Sequence, residues 1–172
     1  MPSFRVRVTK DYTVFCAGHF ITYEGDQCEA LHGHNYRAAA SLEGALGESF
    51  YVFDFVALKK ILRGICDRLD HRMLLPLQNP LLELSQDDEG LLIRYRNKKY
   101  MFPKDEVVLL PIPNTTAEKL AEWIGGELEA ELRQRGAHGL TAMEVEVEES
   151  FGQSAVCRWE WPVPSPEGEG RG

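Results

Sequence analysis

The sequence predicts an α+β layer fold: a four-stranded antiparallel sheet with two helices on one face and a hairpin insert between the helices. Three observations carry that prediction. Polar and apolar residues alternate near both ends of the chain, in Phe4-Arg5-Val6-Arg7-Val8 and in Met143-Glu144-Val145-Glu146-Val147, the pattern of half-buried strands. Two internal stretches repeat apolar residues at helical spacing. The order strand, strand, helix, insert, helix, strand, strand leaves one apolar sheet face for both helices to cover. At 172 residues, 44% of them hydrophobic and 27% charged, the chain is long enough for one domain with its own core. Residues 1–163 make that domain, 81–110 form its insert, and 164–172 read as a disordered tail.

The first strand starts at Phe4 and its extended signal continues toward His19. Tyr23-Glu24-Gly25-Asp26-Gln27 is a loop. A second strand follows at Tyr36–Leu42 and ends in a turn over 44–49. Asp54 is a good N-cap for a helix from Phe55 to Leu69, with Leu58, Ile61, Leu62 and Ile65 on one stripe. Pro76 and Pro80 mark a loop beyond it. Within the insert, Leu91–Tyr95 and Lys99–Phe102 flank Arg96-Asn97-Lys98 as a hairpin whose charge run reads as a solvated face. Val107–Leu110 is a further extended piece. Thr115-Thr116-Ala117-Glu118 is a capping-box pattern with Thr115 as N-cap. It opens a helix carrying Leu120, Ile124, Leu128 and Leu132, with Gly136 as the stop. Gly125-Gly126 inside that helix costs about 1 kcal/mol per glycine relative to alanine, which a close helix–sheet contact would explain. In 141–149 the alternation places Glu149 on the apolar face. Ala155, Cys157, Trp159 and Trp161 form the apolar row of the last strand.

A net charge of −8 argues against a nucleic-acid partner. No apolar run approaches about 18 residues, so no membrane span is expected. The N-terminus has no signal-peptide core, and the expected location is cytoplasmic. The four cysteines contain no CxxC pair and are expected to be reduced, with Cys16 and Cys66 as core fillers.

The chemistry centres on Cys28-Glu29-Ala30-Leu31-His32-Gly33-His34. His32 and His34 point the same way in a strand, and antiparallel pairing with the first strand would bring His19 beside them. Three imidazoles can hold a catalytic Zn2+ with a fourth position open; the competing reading is three separately satisfied histidines. Asp70-His71 is either a proton relay, the carboxylate orienting the ring, or a helix C-terminal cap. Glu149 either caps a strand end or anchors a ligand. Cupin spacing fails because Ala38 and Ala39 stand where a glutamate is needed, and HExxH and GxSxG are absent.

AGHF around His19, CEALHGHNY at 28–36, DF at 54–55, LDH at 69–71, PNTTAEKLA at 113–121 and EES at 148–150 occur in one order. Together they resemble the 6-pyruvoyltetrahydropterin synthase family, which includes the 6-carboxytetrahydropterin synthases of queuosine biosynthesis. The resemblance spans about residues 4–160. It implies a tunnelling (T-fold) subunit that assembles as trimers stacked into a hexamer, hence a homo-oligomer. It implies zinc on His19, His32 and His34. It makes Cys28 the proton-abstracting residue with Asp70 and His71 as acid–base partners. It gives the pterin ring Glu149 as its anchor, with Thr115 and Thr116 near the pocket. The implied reaction converts 7,8-dihydroneopterin triphosphate to 6-carboxy-5,6,7,8-tetrahydropterin, as the three-residue gap between Cys28 and His32 suggests. Pyruvoyl formation is an alternative. Glu29 opens another, because in a dihydroneopterin-cleaving, folate-directed branch a glutamate takes the place of the cysteine. A non-catalytic zinc or pterin-binding module would need neither Cys28 nor Asp70-His71.

Overall fold

The strands in chain order are β1 (Phe4–His19), β2 (Thr22–Tyr23), β3 (Gln27–Cys28), β4 (His32–Gly44), β5 (Arg72–Pro76), β6 (Glu83–Gln86), β7 (Leu91–Tyr95), β8 (Lys98–Phe102), β9 (Val107–Leu110), β10 (Leu140–Ser150) and β11 (Gln153–Glu160). The helices are α1 (Phe55–Asp67) and α2 (Ala117–Gln134). The computed structural model describes residues 3–162, and the tail expected at 164–172 lies outside them.

The four predicted antiparallel strands are present as β11-β10-β4-β1, but the sheet does not stop there. β5 pairs with β1 and β9 with β5, both in parallel, so the sheet is six-stranded and mixed. Met73, Leu74 and Leu75 lie beside Pro76 and read as loop. Buried on a parallel neighbour, the same run needs no alternation to be a strand. The register of β1 on β4 pairs His19 with His32 and Ala17 with His34, as the fold of the two histidine strands requires.

Both helices pack on one face. α1 buries Leu58, Ile61, Leu62, Ile65 and Cys66, and α2 buries Leu120, Ile124, Leu128 and Leu132, against Phe15, Tyr36, Leu42, Val145 and Val147 of the sheet. Asp54 caps α1 by accepting from the Val56 N–H at 2.8 Å. At α2 the cap is Thr116, which accepts from the Lys119 N–H at 3.4 Å, one residue later than predicted. The predicted cap Thr115 is buried instead, its hydroxyl donating to the Phe20 carbonyl at 3.1 Å. The end of α2 is as predicted: Gly136 has φ +64°, its N–H donates to Arg133, and that of Ala137 donates to Leu132, a Schellman turn.

The other sheet face is charged. Arg5 pairs with Glu43 and Glu144, Arg7 with Glu146, and Arg158 with Glu43 and Glu144. Such exposed pairs contribute at most about 1 kcal/mol each. Cys16 is exposed and not the predicted core filler, because it alternates with the buried Phe15 and Ala17 on β1. Cys66 is a core residue, and burial pushes its thiol up to about 12.

The insert forms its own three-stranded sheet, β6-β7-β8, with Lys98 inside β8. Only its outer face is solvated, at Arg94 and Lys99. Leu91, Ile93 and Tyr95 are buried with Phe20, Met73 and Leu75 in a second apolar cluster. The ring of Tyr100 stacks on Phe20 at 5.4 Å. Among the described residues no helix is long and apolar enough to cross a membrane.

Candidate metal centre and adjoining cavity

The two long strands carry the histidines to one point. Gly33 eases the close approach of the two strands between His32 and His34, since a Cβ there would stand 3.0 Å from the Ala17 carbonyl on β1, tighter than an ordinary contact. The ligand atoms of His19, His32 and His34 all lie within 4.8 Å of one another. His19 is buried, and its Nδ1–H donates to the Thr115 carbonyl at 2.9 Å. The His32 Nδ1–H donates to the Ala30 carbonyl at 2.8 Å. Both rings are therefore held in the tautomer that leaves Nε2 with a free lone pair. Those two nitrogens face each other at 3.2 Å, where lone pairs repel without a proton or a cation between them. The His34 Nε2 is buried with no hydrogen-bond partner among the described residues. Nitrogens about 2.0–2.1 Å from a tetrahedral zinc stand about 3.3 Å apart, which the His19–His32 pair matches, and three neutral imidazoles within 4.8 Å of one another are donors of the kind that ion takes. Burial lowers the His19 pKa, against the opposing pull of the Thr115 carbonyl, and keeps the ring neutral as a ligand must be.

Glu149 joins this group from the apolar face of β10, where alternation from Met143, Val145 and Val147 places it. Glu148 pairs with Ser154 and Ser150 with Gln153, so Glu149 is the extra residue of a bulge on β10. Its Oε1 lies 3.4 Å from the His19 Nε2 and 3.9 Å from the His34 Nε2. The buried Tyr36 hydroxyl donates to the same oxygen at 3.4 Å. Burial, then the Glu149 charge, pushes that phenol well above its ordinary range. Phe15 stacks on the Tyr36 ring at 5.0 Å and fixes it.

A cavity of about 390 Å3 opens beside the histidines. His19, His32, Glu29 and Glu149 line it, together with Thr116 and Glu118 from the first turn of α2. Cys28 is not among its lining residues. That side chain packs against the second apolar cluster, and burial, reinforced by Glu29, raises its thiol above the ordinary value although Lys98 opposes.

The comparisons with known proteins agree with this geometry. Residues 7–160 match the family model described as 6-pyruvoyl tetrahydropterin synthase. The chain belongs to the 6-pyruvoyl tetrahydropterin synthase family. It is 37% identical over 145 residues to a Methanocaldococcus jannaschii protein provisionally named 6-carboxy-5,6,7,8-tetrahydropterin synthase, covering 84% of this chain and 88% of that one. It is 33% identical over 119 residues to the dihydroneopterin monophosphate aldolase of Pyrococcus furiosus, covering 69% and 90%. The crystal structure of 6-pyruvoyl tetrahydropterin synthase from Plasmodium vivax superposes with a TM-score of 0.89 at 30% identity, over 94% of this chain and all of that one. Two further structures of the Plasmodium protein carry alanine or cysteine in place of a catalytic-residue glutamate.

Within the family frame, the structure gathers His19, His32, Glu149 and Thr116 at one cavity, with His34 behind them, grouped with His19 and His32. Thr115 serves it from behind, through the carbonyl that holds His19. Asp70 and His71 do not line it. Asp70 accepts from the Cys16 N–H at 2.8 Å and lies 3.1 Å from the His71 Nδ1, while the His71 side chain is 79% exposed. The Cys16 N–H first, and His71 after it, hold the Asp70 carboxyl below the usual range. Sequence reasoning missed Asn114, whose amide bonds both the N–H and the carbonyl of Thr22 and so pins the loop before Cys28. Its place in the PNTT motif was a signal for it. It also missed the inward reach of Lys98, for which a charge run gives no signal.

Proposed function

We propose that this chain is a zinc-dependent pterin synthase that converts 7,8-dihydroneopterin triphosphate to 6-carboxy-5,6,7,8-tetrahydropterin. The observation that carries the reading is the pair of tautomer-fixed Nε2 lone pairs on His19 and His32, converging with the unpartnered His34 nitrogen beside an acidic cavity. His19, His32 and His34 would hold the zinc. Bound there, the ion supplies Lewis-acid polarisation of the substrate's side-chain oxygens. Glu149, steadied by Tyr36, accepts from the guanidine-like edge of the pterin ring. Thr116 borders the ring pocket. Cys28 removes a side-chain proton, and Asp70-His71 is the acid–base pair that returns one to the ring. The triphosphate leaves, one water adds to the side chain and supplies the second carboxyl oxygen, and the two terminal side-chain carbons leave as acetaldehyde. Because neither Asp70 nor His71 lines the cavity of its own chain, we place the pair at the cavity of a second copy in a homo-oligomer. The M. jannaschii relative supports the carboxy-forming branch.

One observation favours a second reading, a dihydroneopterin-cleaving activity with Glu29 as the base. Glu29, and not Cys28, lines the cavity, with its Oε2 3.9 Å from the His32 Nε2. The P. furiosus aldolase is a relative of stated activity, and the Plasmodium protein has a catalytic glutamate. Zinc-loaded protein incubated with 7,8-dihydroneopterin triphosphate and monophosphate, with products identified by mass spectrometry, decides between the two. The first reading expects a 6-carboxy product lost in Cys28→Ala with zinc retained. The second expects a 6-hydroxymethyl product lost in Glu29→Gln and kept in Cys28→Ala. Tight zinc and pterin binding with no turnover would leave a binding module.

A further inference from the structure

We propose that Lys98 is a positioning residue, set on the insert to hold Glu29 toward the metal cavity and Cys28 away from it. Its ammonium donates to the carbonyls of Cys28 and of Glu29, both at 2.9 Å. In an extended strand, successive carbonyls point to opposite sides. One cation bonded to two neighbouring carbonyls therefore fixes the turn of the chain at this step, just beyond β3, where the Glu29 N–H donates to the Ile21 carbonyl at 3.0 Å. Adjacent side chains of an extended chain already point apart, and Lys98 fixes which way each of these two is aimed. Cys28 packs on the cluster around Phe20, and Glu29 lines the cavity beside His32.

The rest of the insert makes Lys98 a fixed support. Tyr95 donates its hydroxyl to the Asp26 carbonyl, and Arg96 pairs with the Asp26 carboxylate at 2.5 Å. Both grip the turn between β2 and β3. Tyr100, two residues beyond Lys98, stacks on Phe20 next to His19 in the chain. The strand that bears the ammonium is thus tied to the loop at one end and to β1 at the other. The insert selects which of two adjacent candidate bases the substrate meets, so Lys98 determines specificity. The inference rests on the reading that Cys28 or Glu29 is the base.

The test uses full-length, zinc-loaded Lys98→Met, with Lys98→Arg as the conservative variant and Lys98→Gln should the methionine fail to fold. The first readout is alkylation of Cys28 by iodoacetamide without substrate, followed by peptide mass mapping. The rate constant per thiolate is taken from the pH–rate profile, so that a changed thiol pKa is separated from changed access. Loss of two charge-assisted hydrogen bonds should raise that constant by about tenfold or more in Lys98→Met, by less in Lys98→Gln, and little in Lys98→Arg. The second readout is turnover, where kcat should fall more than KM rises and Lys98→Arg should restore it. An unchanged Cys28 rate in a folded, zinc-replete Lys98→Met or Lys98→Gln protein overturns the proposal, whatever the products. A raised rate in a protein that turns over neither pterin substrate supports the positioning role and removes the proposed activity alone.

Discussion

An imidazole whose Nδ1–H is tied to a carbonyl has one nitrogen left to offer, and His19 and His32 offer theirs to the same point. His34 differs, since among the described residues its Nε2 is buried without a hydrogen-bond partner. The removal of His34 is therefore the most direct probe of a metal, because it deletes a ligand without freeing a backbone group. His34→Ala should weaken zinc by about 100-fold, taking about 3 kcal/mol as one ligand's share of a structural-site affinity. Ligand binding to the folded state alone raises Tm, so added zinc should raise the wild-type Tm and leave that of His34→Ala nearly unchanged. Metal content by mass spectrometry and thermal scans with and without zinc check this. Equal zinc-induced shifts in the two proteins would remove the metal from the site.

At the scale of the element, α2 separates two neighbouring glycines that look alike in sequence. A Cβ on Gly125 would stand 2.0 Å from the indole of Trp159 on β11, whereas one on Gly126 meets nothing within 4 Å. The first glycine lets the helix lie against the sheet, and the second only costs helix stability. Gly126→Ala should thus stabilise by about 1 kcal/mol, or about 2–4 °C in Tm. Gly125→Ala should lower Tm, because the ring must leave its place. Denaturation curves of both variants check the opposite signs. The contact itself was legible in the sequence, as were α1 with its Asp54 cap, the Gly136 stop and the pairing of the histidine strands, because caps and periodicities are local. The face of Cys16 was misread, although alternation from Phe15 determines it. β9 was legible as an extended piece over Val107–Leu110, but its parallel place in the main sheet was not, and β5 was not legible at all. Their partners are distant in sequence, and a short apolar run ending at Pro76 suits a loop as well as a buried parallel strand. The one-residue shift of the cap from Thr115 to Thr116 depends on the Phe20 carbonyl, which only the folded chain brings near.

The whole molecule leaves unfinished business at its edges. β9 and β11 are edge strands, and Val156 on β11 is 57% exposed, with Phe151 in the preceding turn 95% exposed. An exposed strand edge is a template for pairing with another chain, and the proposed homo-oligomer would use it. The site points the same way. His19, His32 and Glu149 face the cavity, while His71, held at φ +56°, turns its ring out to solvent. If the acid–base pair works on a neighbouring copy, two inactive variants should complement each other. A Cys28→Ala, Glu29→Gln double variant lacks both candidate bases but keeps His71, and His71→Ala has the reverse deficit. Each alone should be inactive. When they are dissociated, mixed in equal amounts and reassembled, about half the cavities keep a base, and about half of those meet an intact His71, so activity should recover to about one quarter of wild type. Native mass spectrometry establishes that mixed oligomers form, and turnover of dihydroneopterin triphosphate or monophosphate reads the result. Mixed oligomers without recovered turnover would confine Asp70 and His71 to their own chain, and the edges would then serve stability and not catalysis.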